Sequence, residues 1–221
     1  METRTPRERY RAQVQEEIKR HAWTQIGAAG APALSLNAIA KQMGMSGPAL
    51  YRYFANRDEL IGELVKDAYR SLADAFREAA GAGADLAGLA RTLRGWALAD
   101  PQRYFLVYGT PVPGYHAPEE TTRIASEIMA VLLDACAAGQ APGTPPSPLD
   151  PPLTEHLTDH LTEHRAWAGE HPAAPSALRR ALGFWTRLHG VLSLELAGHF
   201  TGMGFDPALL YTAEAESLGD R

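Results

Sequence analysis

Residues 34–61 read LSLNAIAKQMGMSGPALYRYFANRDELI, and this stretch decides how the rest of the chain is interpreted. Its pattern predicts a short helix after Ser35, a tight turn at Gly44 and a second short helix after Ser46. Glycine suits the turn because it adopts backbone angles that other residues resist. The apolar positions that would form the inner face of the pair are Leu36, Ile39, Leu50 and Phe54. Two short helices joined by a tight turn are the geometry of a helix-turn-helix.

Longer helices are predicted on both sides of this pair. Thr5, Pro6 and Glu8 stand where a capping box and a first-turn proline would start a helix. Apolar residues then recur at every fourth position, at Tyr10, Val14, Ile18, Ala22 and Ile26. Asn56, with Glu59 three positions later, predicts the start of a fourth helix. Its amphipathic stripe consists of Leu60, Ile61, Leu64, Val65, Ala68, Leu72 and Phe76.

The outer face of the third helix carries groups that suit a nucleic-acid duplex. In a helix-turn-helix the second helix of the motif enters the major groove. Hydroxyls of Tyr51 and Tyr53 can donate to phosphate oxygens, and Arg52 can contact a phosphate or, bidentately, a guanine. Gly47 permits close approach of the backbone. Arg57 and the amides at the start of the fourth helix can hold a further phosphate. A compact helical bundle with its tyrosines in the core is the alternative.

The charge is unevenly distributed along the chain. Residues 1–56 contain eight Lys or Arg and four Asp or Glu, a net charge of +4, so the total of −5 leaves −9 for the rest. A small basic segment attached to an acidic body indicates that one end meets a polyanion. Ordinary variation in surface charge is the other explanation. Charge by itself does not separate the two.

At these residues the chain resembles the TetR family of one-component regulators. The resemblance covers about residues 8–65 and rests on Ile39-Ala40, Gly44-Met45-Ser46, Ala49-Leu50-Tyr51, Tyr53-Phe54, Arg57 and Leu60-Ile61. It implies that the third helix reads the major groove and that its tyrosines and the start of the fourth helix hold phosphates. The positions that it assigns to DNA are Ser35, Ser46, Gly47, Ala49, Tyr51, Arg52, Tyr53 and Arg57. Arg57-Asp58 departs from the family's common Lys-Glu and keeps its charge pattern.

The remainder of the chain is also predicted to be helical. We expect an all-α protein of about nine to ten helices, with a helix-turn-helix domain at 1–56 and a helical ligand-binding and dimerisation domain at 57–221. Further helices are predicted near 85–99, 101–109, 118–138, 154–168 and 176–200, with a short one after Asp206-Pro207. The proline-rich segment 139–153 predicts a surface loop.

The C-terminal half resembles the TetR subgroup with a Trp-His-Gly type C-terminal domain. Matching residues are Trp185, His189 and Gly190, within FWTRLHGVLSLELAGHF, and the segment GTPVPGYHAPEE at 109–120 is also similar. The resemblance implies a ligand-sensing and dimerising domain. An apolar helix at 178–200 is either a central core element or half of a dimer interface. The residues predicted for the interface are Leu178, Leu182, Trp185, Leu192 and Leu196.

A small-molecule effector would need a cavity lined by apolar groups with a few polar tips. The candidate residues are Trp96, Tyr104, Tyr108 and His189. Aromatic residues at helical spacing also occur as plain core, and this alternative stays open. The resemblance implies a homodimer that binds a palindromic operator, acts most often as a repressor and is released by the effector. No cofactor is expected.

The segment TEHLTDHLTEH suggests a rival class of function. His156, His160 and His164 share one helix face, and two histidines four residues apart can bind zinc. Three such residues span about 12 Å along a helix, so one ion cannot take all of them. A solvated face with leucines buried beneath it is the favoured interpretation, and no metal site is predicted. A helical interaction or metal-binding protein without DNA binding remains the alternative function.

Three further observations bound the class of protein. Cys136 is the only cysteine, so no internal disulfide can form, in agreement with a reducing compartment. The N-terminal residues are charged and lack the apolar core of a secretory signal. No run of residues approaches the roughly 18 apolar positions that would span a bilayer. We therefore expect a cytoplasmic protein, and the sequence shows no nucleophile motif or phosphate loop that would indicate an enzyme.

Overall fold

The computed structural model describes residues 5–109, 118–138 and 151–219, and regular structure in these ranges is helical throughout, with no strand. This confirms the all-α class. The ten α-helices of the described residues are α1 Pro6–Ala29, α2 Leu36–Gln42, α3 Gly47–Leu50, α4 Arg57–Gly81, α5 Leu86–Ala99, α6 Pro101–Tyr108, α7 Glu119–Ala138, α8 Pro151–Glu163, α9 Pro175–Leu196 and α10 Pro207–Gly219. Short 3₁₀ turns occupy Ala31–Ala33 and Ala166–Ala168.

The chain divides into two compact units. The first unit runs to Ala68 and takes in a further segment that begins at Gln102. The second unit contains Tyr69–Pro101 and resumes at Glu119. The division falls inside α4, a continuous helix of 25 residues. The boundary predicted between residues 56 and 57 separates functions, whereas this division separates compact units. The functional boundary therefore stays a prediction.

The core of the first unit follows the apolar pattern of the sequence. The inner-face positions of α2 and α3 are buried, and Ala40 is buried beside them. The stripe on α1 is buried from Val14 to Ile26, but Tyr10 is 64% exposed. Tyr10, the first residue of the predicted stripe, therefore lies outside this core, and the buried part of the stripe begins at Val14.

Local hydrogen bonds explain where these helices begin. Thr5 and Glu8 form a reciprocal capping box at α1, as predicted. The Ser35 hydroxyl accepts from the Ala38 N–H at 3.3 Å, and the Asn56 side chain accepts from the Glu59 N–H at 2.8 Å. Ser46 precedes α3 but makes no such bond. The Ala49 N–H that it would cap donates instead to the Ser46 carbonyl.

The second unit is arranged around α9. This helix packs against α5, α7, α8 and α10, and its buried side includes Leu178, Phe184, Leu188 and Leu192. The fully buried apolar residues of α7 face the same interior. These contacts make α9 a core element of its unit.

Several predicted boundaries need correction in the second unit. The helix predicted at 176–200 ends at Leu196, and the helix predicted at 154–168 ends at Glu163. The predicted loop at 139–153 overlaps α8, which already begins at Pro151. Prolines at 151 and 152 are tolerated there because the first-turn amides of a helix have no intrahelical partner. Residues 139–150 lie outside the described residues, as do residues 110–117 of the similar segment at 109–120. The helix after Asp206 is not short, since α10 has 13 residues.

The helices differ in length and composition from helices that span membranes. Within the described ranges, none combines the length and the apolar character needed to cross a bilayer.

Candidate nucleic-acid interface

The turn between α2 and α3 has the geometry that the sequence predicts. Gly44 has a φ of +64°, the left-handed region that side chains other than glycine rarely adopt. An added Cβ at this position would meet no atom within 4 Å, so backbone conformation and not space requires glycine. The Met45 N–H donates to the Ala40 carbonyl at 2.8 Å and closes the turn. The turn thereby fixes the direction in which α3 leaves α2.

The outward side of α3 is polar and accessible. Leu50 and Phe54 anchor the segment in the core, while Tyr51 and Arg52 are exposed and Tyr53 is half-buried. The side chain of Arg52 forms no hydrogen bond or ion pair with any described residue. α3 is one turn long, and the chain continues to Tyr53 through turn bonds, of which the Tyr53 N–H to Leu50 carbonyl bond measures 2.8 Å.

Small groups surround the start of α3. Ser46 is exposed, and its hydroxyl is not used as a helix cap. Gly47 and Ala49 are half-buried, and a Cβ at Gly47 would lie 3.5 Å from Asn37 Oδ1. Ser35 sits at the start of α2, where its N–H donates to Gln25 Oε1 at 2.9 Å. This end of the motif therefore allows a ligand surface to approach the backbone closely.

Two α1 side chains that the sequence analysis did not single out hold the end of the α3 segment. Arg11 Nη2 donates to the Arg52 carbonyl at 3.0 Å, and its guanidinium lies 5.5 Å from the centroid of the Tyr53 ring. Gln15 Nε2 donates to the Tyr53 carbonyl at 3.5 Å. Backbone carbonyls occur at every residue, so no sequence pattern marks these acceptors. Asn37 and Lys41 on α2 are exposed as well.

Arg57 has a structural task besides any contact with phosphate. Its Nη2 donates to the Ala31 carbonyl at 2.7 Å and its Nε to the Leu34 carbonyl at 3.3 Å. The start of α4 is thereby tied to the segment that leads into α2. The amide of Glu59 is already capped by Asn56. The contact of Arg57 with phosphate stays a prediction. Two of its nitrogen atoms, Nε and Nη2, already donate to carbonyls, so fewer N–H groups remain for a phosphate.

An ion pair of the buried Lys19 links α1 to α4 within the first unit. Lys19 Nζ lies 2.7 Å from Asp67 Oδ2 and 2.6 Å from Glu16 Oε1. Burial lowers the pKa of Lys19, but the hydrogen bonds and charges of Asp67 and Glu16 outweigh this effect and leave the pKa raised. Lys19 is therefore charged and paired, and it stabilises the unit without facing outward.

Two families of known proteins match this chain. Residues 18–64 match the family of bacterial regulatory proteins, tetR family, and residues 86–218 match the tetracyclin repressor-like C-terminal domain. The second match alone spans more than half of the chain. The chain belongs to the TetR family. It is accordingly a transcriptional regulator with a DNA-binding domain, and not an enzyme.

Relatives of this TetR-family chain extend over nearly its whole length. It is 34% identical to the HTH-type transcriptional regulator Rv1816 of Mycobacterium tuberculosis over 216 residues, which cover 94% of this chain and 92% of that one. The solved structure of the regulatory protein SCO4313 is 65% identical, with a TM-score of 0.86 over 98% of this chain and 100% of that chain. A protein of unknown function from Rhodococcus sp. RHA1, 21% identical with a TM-score of 0.62 over 93% of each chain, shares the fold.

The four predicted effector residues of this TetR-family chain fall in different units. Tyr104 and Tyr108 belong to the first unit, where their ring centroids lie 5.4 Å apart and Tyr104 is fully buried. Trp96 and His189 belong to the second. Trp96 Nε1 donates to Ser71 Oγ at 3.1 Å, and the His189 ring lies 4.5 Å from the Trp185 ring. Burial lowers the pKa of His189 to about 4, so it is neutral at pH 7.

The five predicted dimer residues separate by exposure. Leu178 and Leu192 are fully buried in the second unit, so they cannot contact a partner directly. They can only pack beneath residues that do. Leu182, Trp185 and Leu196 are half-buried on α9 and retain surface for a partner. Periodicity identified the helix correctly, but it did not distinguish the side that faces α7 from the side that faces outward.

The histidine row at the end of α8 is exposed, as a solvated face would be, and its last member lies one residue beyond the helix. His156, His160 and His164 are all exposed, and the last two stack with ring centroids 4.2 Å apart. No group of three or more His, Cys, Asp or Glu side chains among the described residues is arranged to hold a metal ion. Leu161 is buried beneath the row.

Proposed function

We propose that this chain is a ligand-responsive repressor that binds a palindromic operator as a homodimer. The observation that carries the proposal is the polar outer side of α3, held by a core and by α1 but with Arg52 and Tyr51 directed away from both. A helix of this kind presents side chains to base edges while its flanks contact phosphates. The proposed DNA contacts are Ser35, Ser46, Gly47, Ala49, Tyr51, Arg52, Tyr53 and Arg57.

A homodimer is proposed because a palindromic site needs two motifs at a fixed separation of about 34–36 Å or a multiple of it. Among the described residues, eight large apolar side chains are exposed, and five of them lie between residues 194 and 210. These five are Leu194, Met203, Phe205, Leu209 and Leu210. Exposed apolar side chains mark protein interfaces when they form one patch, and we propose that these five do so. We assign this surface, together with the half-buried residues of α9, to the second copy.

Sedimentation of two variants tests the dimer. Leu194→Glu and Leu209→Glu together should give a monomer and should weaken operator binding. Tyr10 is also exposed but lies in the first unit, so Tyr10→Glu serves as the control and should remain a dimer. A double variant that stays dimeric would remove this surface from the proposal.

Release by a small molecule is proposed through α4. This helix contributes Arg57–Ala68 to the first unit and Tyr69–Gly81 to the second. A ligand acts only through its different affinities for the bound and released states, and a helix shift of about 1–2 Å is enough for such a switch. Trp96 and His189 are the proposed effector contacts in the second unit, and Tyr104 and Tyr108 those in the first. A compound that raises the melting temperature should weaken operator binding.

Selection of bound sequences from random duplex DNA tests the central proposal. The wild-type chain should recover a palindrome, and Arg52→Ala should lose it. The matched control is Arg20→Ala, which removes an exposed arginine of α1 that pairs with Glu17 and should leave the selected sequence unchanged. Operator affinity should also fall steeply with salt, because neutralised phosphates release counterions.

The alternative function predicts a different result. A helical interaction module without DNA binding would enrich no sequence even at low salt, and Arg52→Ala and Arg20→Ala would then behave alike. The apolar surface at 194–210 would become the main functional surface in that case.

A further inference from the structure

The first two turns of α1 project beyond the core of the first unit. Residues 5–11 are all exposed, and the first buried residue of the helix is Val14. At 1.5 Å per residue, the helix from Pro6 to Val14 extends about 12 Å past its own core. No apolar contact therefore explains why the chain is helical here.

Two local features nevertheless maintain the helix to its end. Thr5 Oγ1 accepts from the Glu8 N–H at 3.3 Å, while Glu8 Oε2 accepts from the Thr5 N–H at 2.7 Å. Pro6 occupies the first helical position, where its fixed φ fits. Glu8 is thus engaged in the cap. The remaining charged side chains of this projection are Arg7, Arg9 and Arg11, and neither Arg7 nor Arg9 pairs with any described residue.

The projection lies beside the segment proposed to contact DNA. Arg11 donates to the Arg52 carbonyl and covers the Tyr53 ring, so its side of α1 faces the end of α3. Residues four apart share a helix face, which places Arg7 in the same row one turn further out. Arg9 is two residues from both and falls on another face.

We infer that the start of α1 is a second DNA-contacting element, in which Arg7 binds a backbone phosphate next to the groove entered by α3. Arg11 acts as a positioning residue that fixes the end of α3 and the orientation of Tyr53. The inference rests on the proposed function and deepens it. The ligand is the sequence-independent phosphate backbone, so this element adds affinity and not base preference.

Salt dependence measures such a contact directly. The slope of log affinity against log salt changes by roughly 0.9 for each phosphate contact on duplex DNA. Arg7→Ala should therefore reduce the magnitude of the slope by about 1.8 in a dimer with two copies, at unchanged selected sequence. Arg9→Ala is the matched control, because it removes the same charge from the same exposed segment on another face.

The possible outcomes separate the inference from the proposed function. The inference is supported if the slope of log affinity against log salt has a smaller magnitude for Arg7→Ala than for Arg9→Ala. Both variants must melt at the temperature of the wild type. Equal slopes for the wild type and both variants would overturn it while Arg52→Ala still abolishes selection. An equal reduction in both variants would indicate a general charge effect and would also overturn it. Absence of DNA binding by the wild type would remove both proposals.

Discussion

Each of the two units has its own internal pattern of polar contacts, and the two patterns differ. In the first unit, side chains bind the backbone: Arg11 and Gln15 donate to carbonyls at the end of the α3 segment, and Arg57 donates to two carbonyls before α2. The Gln25 side chain accepts from the Ser35 N–H. Ion pairs occur here too, but among the described residues only that of Lys19 with Asp67 joins two helices. The others lie within a helix and are Lys19–Glu16, Arg20–Glu17, Arg57–Asp58 and Lys66–Glu63.

In the second unit, Arg180 and Tyr211 also donate to backbone carbonyls, those of Cys136 and Ala90. Its helices are joined in addition by several pairs of charged side chains. Arg94 and Glu195 lie 2.6 Å apart on α5 and α9, and both are mostly buried. Glu127 of α7 accepts from three arginines, Arg70, Arg77 and Arg123, at 2.7 to 3.1 Å.

The difference in ion pairs between helices suits the two proposed tasks, which are DNA binding by the first unit and a response to an effector by the second. Bonds to the backbone fix the helix-turn-helix with single side chains, and neither acidity nor salt removes a carbonyl. Charge pairs depend on two distant residues and weaken when charge or screening changes. We therefore expect the second unit to be the one that responds to conditions.

The largest expected effect tests whether the two units are separate. Phe54→Ala removes a fully buried ring from the first unit and should lower its free energy of unfolding by about 3–5 kcal/mol. Hydrogen exchange followed by peptide should accelerate in α1 and α2 much more than in α7 and α9. The matched variant Leu188→Ala, in the core of the second unit, should show the reverse pattern. Equal acceleration in both units would mean that they unfold as one body.

The first unit was also the more predictable from sequence. Each position of its inner face is fixed by helical periodicity, and the left-handed turn needs Gly44 for a reason that the sequence displays. The caps of α1 and α4 depend on residues three apart, so local sequence specifies them. Periodicity states which side of a helix is apolar, but not how far along the helix that side is covered, and Tyr10 on the stripe is exposed.

The second unit shows why the rest could not be predicted. Arg94 and Glu195 are 101 residues apart in sequence, and no local pattern joins them. The effector candidates were chosen because each combines an aromatic body with a polar tip, a property that indicates burial without naming a neighbour. Structure then assigned Trp96 and Tyr104 to different units.

The next effect in size is a loss of stability in acid through His189. Burial holds its pKa at about 4, against 6.5 for an accessible histidine. The unfolded chain therefore takes up the proton first, so the stabilisation is complete above pH 6.5 and is lost as the pH falls toward 4. A shift of this size corresponds to about 3 kcal/mol.

Urea unfolding of the wild type and His189→Gln at a series of pH values measures this contribution. The advantage of the wild type over the variant should shrink by about 3 kcal/mol as the pH falls across that interval. The subtraction cancels the carboxylates that both proteins share. A constant difference would mean that His189 titrates alike in folded and unfolded chains, and the second unit would lose this link to pH.

The smallest effect is expected at Glu127, which is 30% exposed. Glu127→Gln keeps the shape of the side chain but leaves Arg70, Arg77 and Arg123 without the shared negative charge, at a cost of about 1 kcal/mol in dilute buffer. Near 1 M salt, where the Debye length is about 3 Å, most of this cost should disappear. Gln25→Leu is the control from the first unit, because it removes a neutral side-chain bond to the Ser35 amide and should cost about 1 kcal/mol at either salt concentration. The contrary outcome is that both variants lose the same stability at low and at high salt. In that case the carboxylate of Glu127 would contribute no screened charge interaction, and the proposed contrast between the two units would fail.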